Sequence, residues 1–179
     1  MAVALVHIGV MMRRRQIPIL QALLGVVCWL PLLLVPLGAA RFADGEPLRL
    51  TDEEQRLIDL TNQERAKEEL RPLKPHPLLM QAAREHAANM ARQQKMDHVL
   101  DGKEPRDRVR QVGYRFRHLG ENVASGYRTP EAVVDGWMGS EGHRANILRS
   151  EFTEIGVGVV RDGQGKPYYA QVLASPLRR

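Results

Sequence analysis

The chain has 179 residues, with 26 Lys and Arg against 21 Asp and Glu and a formal net charge of +5. Arg13, Arg14 and Arg15 are its only Lys or Arg before position 41 and no acid precedes it, so the rest carries 23 minus 21, or +2; with no aromatic residues interleaved among basic clusters, nucleic-acid binding is excluded. The single cysteine, Cys28, excludes a disulfide scaffold, so packing must supply the stability.

Residues 1–40 read as a secretory signal or an N-terminal membrane anchor. Three arginines precede an apolar run from Ile17 to Leu37, and Gly38, Ala39 and Ala40 supply the small residues of a cleavage site. The run, about 21 residues, is long enough to stay in a bilayer uncleaved, although Pro18, Pro31 and Pro36 oppose a regular helix. Val26 and Val27 before Cys28 argue against a lipoprotein, and Pro18 against twin-arginine export; Met11 and Met12 offer alternative starts. The expected location is extracytoplasmic, with membrane contact only through this segment.

Residues 41–52 read as a linker. Thr51 and Glu54 then form a capping-box pattern that opens a first helix, with Leu57, Ile58, Leu60 and Ala66 on its apolar stripe, ending before Pro72. Prolines at 75 and 77 deliver the chain to a second helix starting near Leu78. On it Leu78, Ala82, His86 and Met90 make one row, and Leu79, Ala83, Ala87 and Ala91 the next. The alanines predict close approach to a neighbouring element, and His86 reads as a hydrogen-bonded core histidine. Pro105 and Asp107 begin a short third helix that stops at Gly113. Thr129 and Pro130 open a fourth, with Val133, Val134, Trp137 and Met138 on its buried face. Ile155–Arg161 and Pro167–Ala174 read as strands joined through Asp162-Gly163-Gln164-Gly165-Lys166, a hairpin signal. Gly156 and Gly158 in the first of these admit another backbone. The first helix has no heptad pattern, so a monomer is expected.

Three segments carry candidate chemistry: Met96-Asp97-His98, Gly120-Glu121-Asn122-Val123-Ala124, and Trp137 to Leu148 with Ser140, Glu141 and His143. Followed by Ile155-Gly156-Val157-Gly158-Val159-Val160, and with Leu60-Thr61-Asn62-Gln63-Glu64-Arg65 upstream, this order resembles the CAP superfamily (cysteine-rich secretory proteins, antigen 5 and pathogenesis-related 1 proteins), in its bacterial, cysteine-poor branch. The resemblance covers residues 53–176. It implies an α+β fold, a three-layer α/β/α sandwich with a small, mostly antiparallel sheet. It also implies a cleft lined by His98, Glu121 and His143, with the fourth, acidic place shared by Ser140 and Glu141. Some members bind a divalent cation through the two histidines, so His98 and His143 are the expected metal ligands. Two imidazoles without a cysteine form an open, low-affinity site for a zinc-like ion, and a nearby carboxylate can orient a ring N–H.

Glu121 also has a structural reading, as acceptor of backbone N–H groups or partner of Arg144. Asn122 and Asn146 read as turn or capping groups, Arg108 and Arg144 as ties between loops and core, and His76 and His118 have no assigned role. A serine hydrolase is disfavoured, because Gly139-Ser140-Glu141-Gly142 lacks the glycine two residues before the serine that a nucleophile elbow needs. The expected function is an exported binding module for a cell-wall, lipid or peptide ligand. The alternative is a metal-dependent hydrolase of peptides or cell-wall polymers, so enzymatic activity stays open.

Overall fold

A computed structural model describes residues 48–177. The signal or anchor at 1–40, Cys28, the alternative starts and most of the linker lie outside the described residues. Five helices and four strands follow in the order α1 (Asp52–Lys67), β1 (Lys74–Pro75), α2 (Pro77–Gln93), α3 (Pro105–Gln111), β2 (Phe116–Ser125), α4 (Pro130–Met138), α5 (Glu141–Ile147), β3 (Glu154–Arg161) and β4 (Pro167–Pro176). Among the described residues no helix is long and apolar enough to cross a membrane.

Local rules account for most of the boundaries. Thr51 accepts from the Glu54 N–H while the Glu54 carboxylate accepts from the Thr51 N–H, the predicted capping box of α1. His76 caps α2 instead of a Ser or Asp: its Nδ1 accepts from the Leu78 N–H at 3.2 Å, and Pro77 fills the first turn. Thr129 caps α4 as its sequence indicates. The fourth predicted helix continues differently from expectation. Gly139 ends α4, the chain turns at Ser140, and a separate α5 begins at Glu141. The glycines at 139 and 142 lower the cost of that break. The hairpin turn is held by the Asp162 carboxylate, which accepts from the N–H groups of Gln164 and Lys166.

The sheet order is β1-β3-β4-β2, with β1 and β3 parallel and the other pairs antiparallel. It sits between two helical layers. Along β4, Tyr169 and Leu173 pack with Leu57, Val134, Trp137 and Ile147 of α1, α4 and α5. Tyr168, Ala170, Val172 and Ala174 pack with Leu79, Ala83, Ala87 and Val109 of α2 and α3. Strand alternation therefore divides one sequence run between two cores, and each fully buried large side chain contributes about 1.5–3 kcal/mol. The helix α2 rests directly on β3: a Cβ at Gly156 would lie 2.1 Å from the Leu79 carbonyl carbon, and one at Gly158 would lie 2.6 Å from that of Ala83. Only glycine fits at either position, as the pattern of alanines and glycines predicts.

One buried cation has no sequence forewarning. Arg65 on α1 is 1% exposed and donates to the carbonyls of Arg71, Ile147, Arg149 and Phe152. It thereby satisfies carbonyls at and beyond the end of α5 that the helix cannot pair itself. Burial pulls its pKa down from the usual arginine range.

Candidate functional site

β2 is the sheet edge, and two adjacent residues on it, Glu121 and Asn122, point to opposite faces. Glu121 pairs in register with Val172 and faces the α2 and α3 layer; Asn122 pairs with Gln171 and faces α1 and α5.

On the first face, the Glu121 side chain is 2% exposed and committed at both oxygens. Arg108 Nη2 donates to Oε2 at 2.7 Å, and His98 Nδ1 lies 2.9 Å from Oε1. Arg108 also donates to the Lys103 carbonyl, so it ties the loop before α3 to the strand. The partner of Glu121 is thus Arg108 and not Arg144, which pairs with Glu68 at the surface. His98 sits in a bend held by Asp97, whose Oδ1 accepts the Val99 N–H at 3.0 Å. Its hydrogen bond to Glu121 raises the His98 pKa above 6.5, because the carboxylate stabilises the charged ring.

His86, the predicted core histidine, is fully buried and weakly supported: the Asp97 backbone lies near enough to favour the charged ring, but neither ring nitrogen makes a well-formed hydrogen bond, and Nε2 stands 3.7 Å from Glu121 Oε1. Desolvation lowers its pKa below 6.5 against the pull of Glu121.

The second face is uncharged. Gln171 Nε2 donates to Thr61 Oγ1, Asn122 Nδ2 to Gln171 Oε1 and to the His143 carbonyl, and Asn146 Nδ2 to Asn122 Oδ1 and to the Glu121 carbonyl. The two asparagines are therefore neither turn nor capping groups. They are links in a relay that fixes α5, and with it His143, against β2. Sequence reasoning missed Thr61 and Gln171. The available signal was a lone amide within the otherwise apolar centre of β4.

His98 approaches from the α2 side and His143 from the α5 side. They come within each other's electrostatic reach because no strand lies beyond β2. His143 is half-buried; burial, then the neighbouring His98, lowers its pKa, which favours the neutral ring. Ser140 and His143 line a groove of about 310 Å³ with Met96, Val123, Ser125 and Trp137. Glu141 is an exposed residue in the first turn of α5 and is not among the groove's lining residues. The geometry thus gathers His98, Glu121, Ser140 and His143 around one edge, with Glu141 outside.

This donor set fits a cation in a restricted way. Among the described residues no group of three or more His, Cys, Asp or Glu side chains could hold a metal. Glu121 is spent on Arg108 and His98, but its bond to His98 Nδ1 leaves Nε2 as the free ring nitrogen, and a carboxylate behind a ligating imidazole is the usual support of such a ligand. Burial lowers the His143 pKa, which favours the neutral ring that ligation needs. Among the described residues, the imidazoles free to ligate on this side are therefore His98, through Nε2, and His143, with no third His, Cys, Asp or Glu side chain beside them.

Comparison with known proteins adds the following. Residues 58–173 match the CAP family, described as the Cysteine-rich secretory protein family. The Bacillus subtilis protein YkwD is 41% identical over 118 residues, 65% of this chain and 46% of that protein. The Bacillus subtilis membrane protein YlbC is 35% identical over 122 residues, 68% of this chain and 34% of that protein. The match thus spans less than half of either relative. An extracellular Bacillus anthracis protein containing an SCP domain superposes with a TM-score of 0.64 at 28% identity, covering 72% of this chain and 45% of that one.

Proposed function

The chain belongs to the cysteine-rich secretory protein (CAP) family, and from that premise we propose that it is an extracytoplasmic ligand-binding module whose edge cleft holds a zinc-like divalent cation weakly through His98 and His143. The observation that carries this reading is the ordered set Arg108–Glu121–His98. A buried carboxylate locked by a guanidinium turns one imidazole so that its second nitrogen is free. A bound cation would act there as a Lewis acid that attracts an oxygen or nitrogen of the ligand.

Binding is favoured over hydrolysis by the state of Glu121. Hydrolysis with Glu121 as general base needs that carboxylate within reach of the attacking water, and here both its oxygens already accept from Arg108 and His98, with the side chain closed to solvent. The extracytoplasmic location is supported by the apolar leader layout of residues 1–40 and by relatives described as a membrane protein and an extracellular protein.

Calorimetric titration of the full-length chain in detergent with zinc tests the metal site. One weak site is expected, reduced about tenfold or more in His98→Ala and in His143→Ala and unchanged in Glu141→Ala. No uptake, or uptake indifferent to both histidines, would overturn it.

A further inference from the structure

A second cavity opens at the opposite end of β2 and shares no lining residue with the groove beside His143. Its volume is about 430 Å³, and three strand ends meet in it: Arg117 and His118 near the start of β2, Ser175 near the end of β4, and Thr153 just before β3. An irregular ladder gives it one of its walls. Phe116 pairs with Pro176 and His118 with Ser175, so β2 carries one residue more than β4 at this point, and that residue is Arg117. A bulge of this kind bends the strand and re-aims the side chain on it; here an exposed arginine is brought to the cavity.

The charge of the lining sets the sign of an occupant. Residues 103–118 hold six Lys or Arg against two acids, a local balance of +4 in a chain that carries +2 after position 40. Both acids are engaged, Glu104 with Arg106 and Asp107 with the Glu104 N–H, and Arg108 is spent on Glu121. Arg117 is left without a carboxylate partner among the described residues. The one acid in the lining, Glu151, is already answered by Arg149 at 3.4 Å and by the Ser150 hydroxyl at 3.1 Å.

Neutral donors complete the set. His118 Nδ1 lies 3.1 Å from Ser175 Oγ. Whichever of the two donates in that contact, one donor remains: the ring Nε2–H if the hydroxyl donates to Nδ1, or the hydroxyl proton if the ring donates. The Thr153 backbone is fully engaged, its N–H with Ala174 and its carbonyl with Lys74, while its hydroxyl makes no hydrogen bond to the described residues. A guanidinium, an imidazole–hydroxyl pair and a second hydroxyl thus line one cavity, each held by a different strand end.

From this set we infer that the cavity takes a terminal phosphate ester. A guanidinium presents two parallel N–H groups to one edge of a phosphate, and the Thr153 hydroxyl and the His118–Ser175 pair supply donors for its remaining oxygen. A carboxylate has two oxygens and would leave one of these donor groups unmet; an ammonium would meet Arg117 with like charge and find Glu151 already paired. The cavity is larger than the phosphate alone requires, so the remaining space belongs to the polyol that carries it. A soluble polyol phosphate and a lipid headgroup share this chemistry. The site lies apart from His98 and His143 and stands whether or not they hold a cation.

Amide NMR of the full-length chain in detergent, titrated with glycerol 3-phosphate, tests it. Saturable binding is expected, with the largest shifts at Arg117, His118, Thr153 and Ser175. Affinity falls about tenfold or more in Arg117→Gln and by a smaller factor in Thr153→Val, both exposed positions. Arg110→Gln, whose cation rests over Phe116 and does not line the cavity, binds as the parent chain does. No saturable binding, binding unchanged in Arg117→Gln, an equal loss in Arg110→Gln, or glycerate bound as tightly as glycerol 3-phosphate would overturn the assignment. Detergent micelles doped with phosphatidic acid separate the two sources: capture tighter than that of the soluble ester upholds the site as one for a lipid headgroup, and capture no tighter upholds it as one for a soluble phosphate.

Discussion

The two faces of β2 solve the same problem with opposite chemistry. At Glu121 the strand holds its neighbours through charge: a buried carboxylate, a nearly buried guanidinium and a half-exposed imidazole. At Asn122, one residue later, it holds them through neutral amides and a hydroxyl running from Thr61 to Asn146. The charged face fixes the ring of His98; the neutral face fixes the helix that carries His143. A charged lock depends on pH and leaves a buried charge when a partner is removed, whereas an amide relay leaves only neutral groups unpaired.

That contrast breaks most sharply at Arg108. Arg108→Met strands the Glu121 carboxylate in a closed site and is expected to cost about 3–5 kcal/mol by urea denaturation, with partial recovery when Glu121→Gln is added. On the neutral face, Asn122→Ala leaves Gln171 and Asn146 without their partner and is expected to cost about 1–3 kcal/mol, with an effect that does not vary between pH 5 and 8 because no member of the relay titrates there. Equal losses for both variants would erase the distinction.

The smallest effect sharpens the pH side of it. His86 has a folded pKa below 6.5, so the unfolded chain binds more protons; its neutral burial is fully tolerated above about 6.5, and stability is lost as pH falls from there through the folded value. His98 has the opposite sign: its contribution is complete below about 6.5 and is lost as pH rises through its raised folded value. His86→Leu removes two buried ring nitrogens that make no well-formed hydrogen bond. It is expected to stabilise the fold by about 1 kcal/mol and to flatten the acid limb of a stability-against-pH curve, leaving the alkaline limb of His98 in place. An unchanged acid limb would show that His86 is not the group responsible.

Much of the architecture could be read from local signals. The capping box at Thr51, the Thr129-Pro130 start of α4, the Asp162 hairpin and the Gly156 and Gly158 spacing all obey rules that act within a few residues, and the family motifs placed His98, Glu121 and His143 in chain order. The break between α4 and α5 was harder, since Gly136, Gly139 and Gly142 permit a kink, a frayed end or a second helix equally well, and the packing of Ile147 in the core chooses among these. The location of β2 was also missed. Phe116–Ser125 contains four consecutive buried residues, Glu121 to Ala124, and so lacks the alternation of apolar and polar residues that marks a half-buried strand.

By itself the sequence determined which residue types were available and where most helices and the hairpin begin and end, because caps, prolines and glycines act on neighbouring backbone. The fold alone decided the partners: Arg108 and not Arg144 for Glu121, four carbonyls and no acid for Arg65, and a buried place without a well-formed hydrogen bond for His86. Apart from the Arg65–Arg71 bond, such contacts join positions 13 to 87 residues apart, and which charge or carbonyl meets which depends on how layers stack on the sheet, a distance relation that no local spacing encodes.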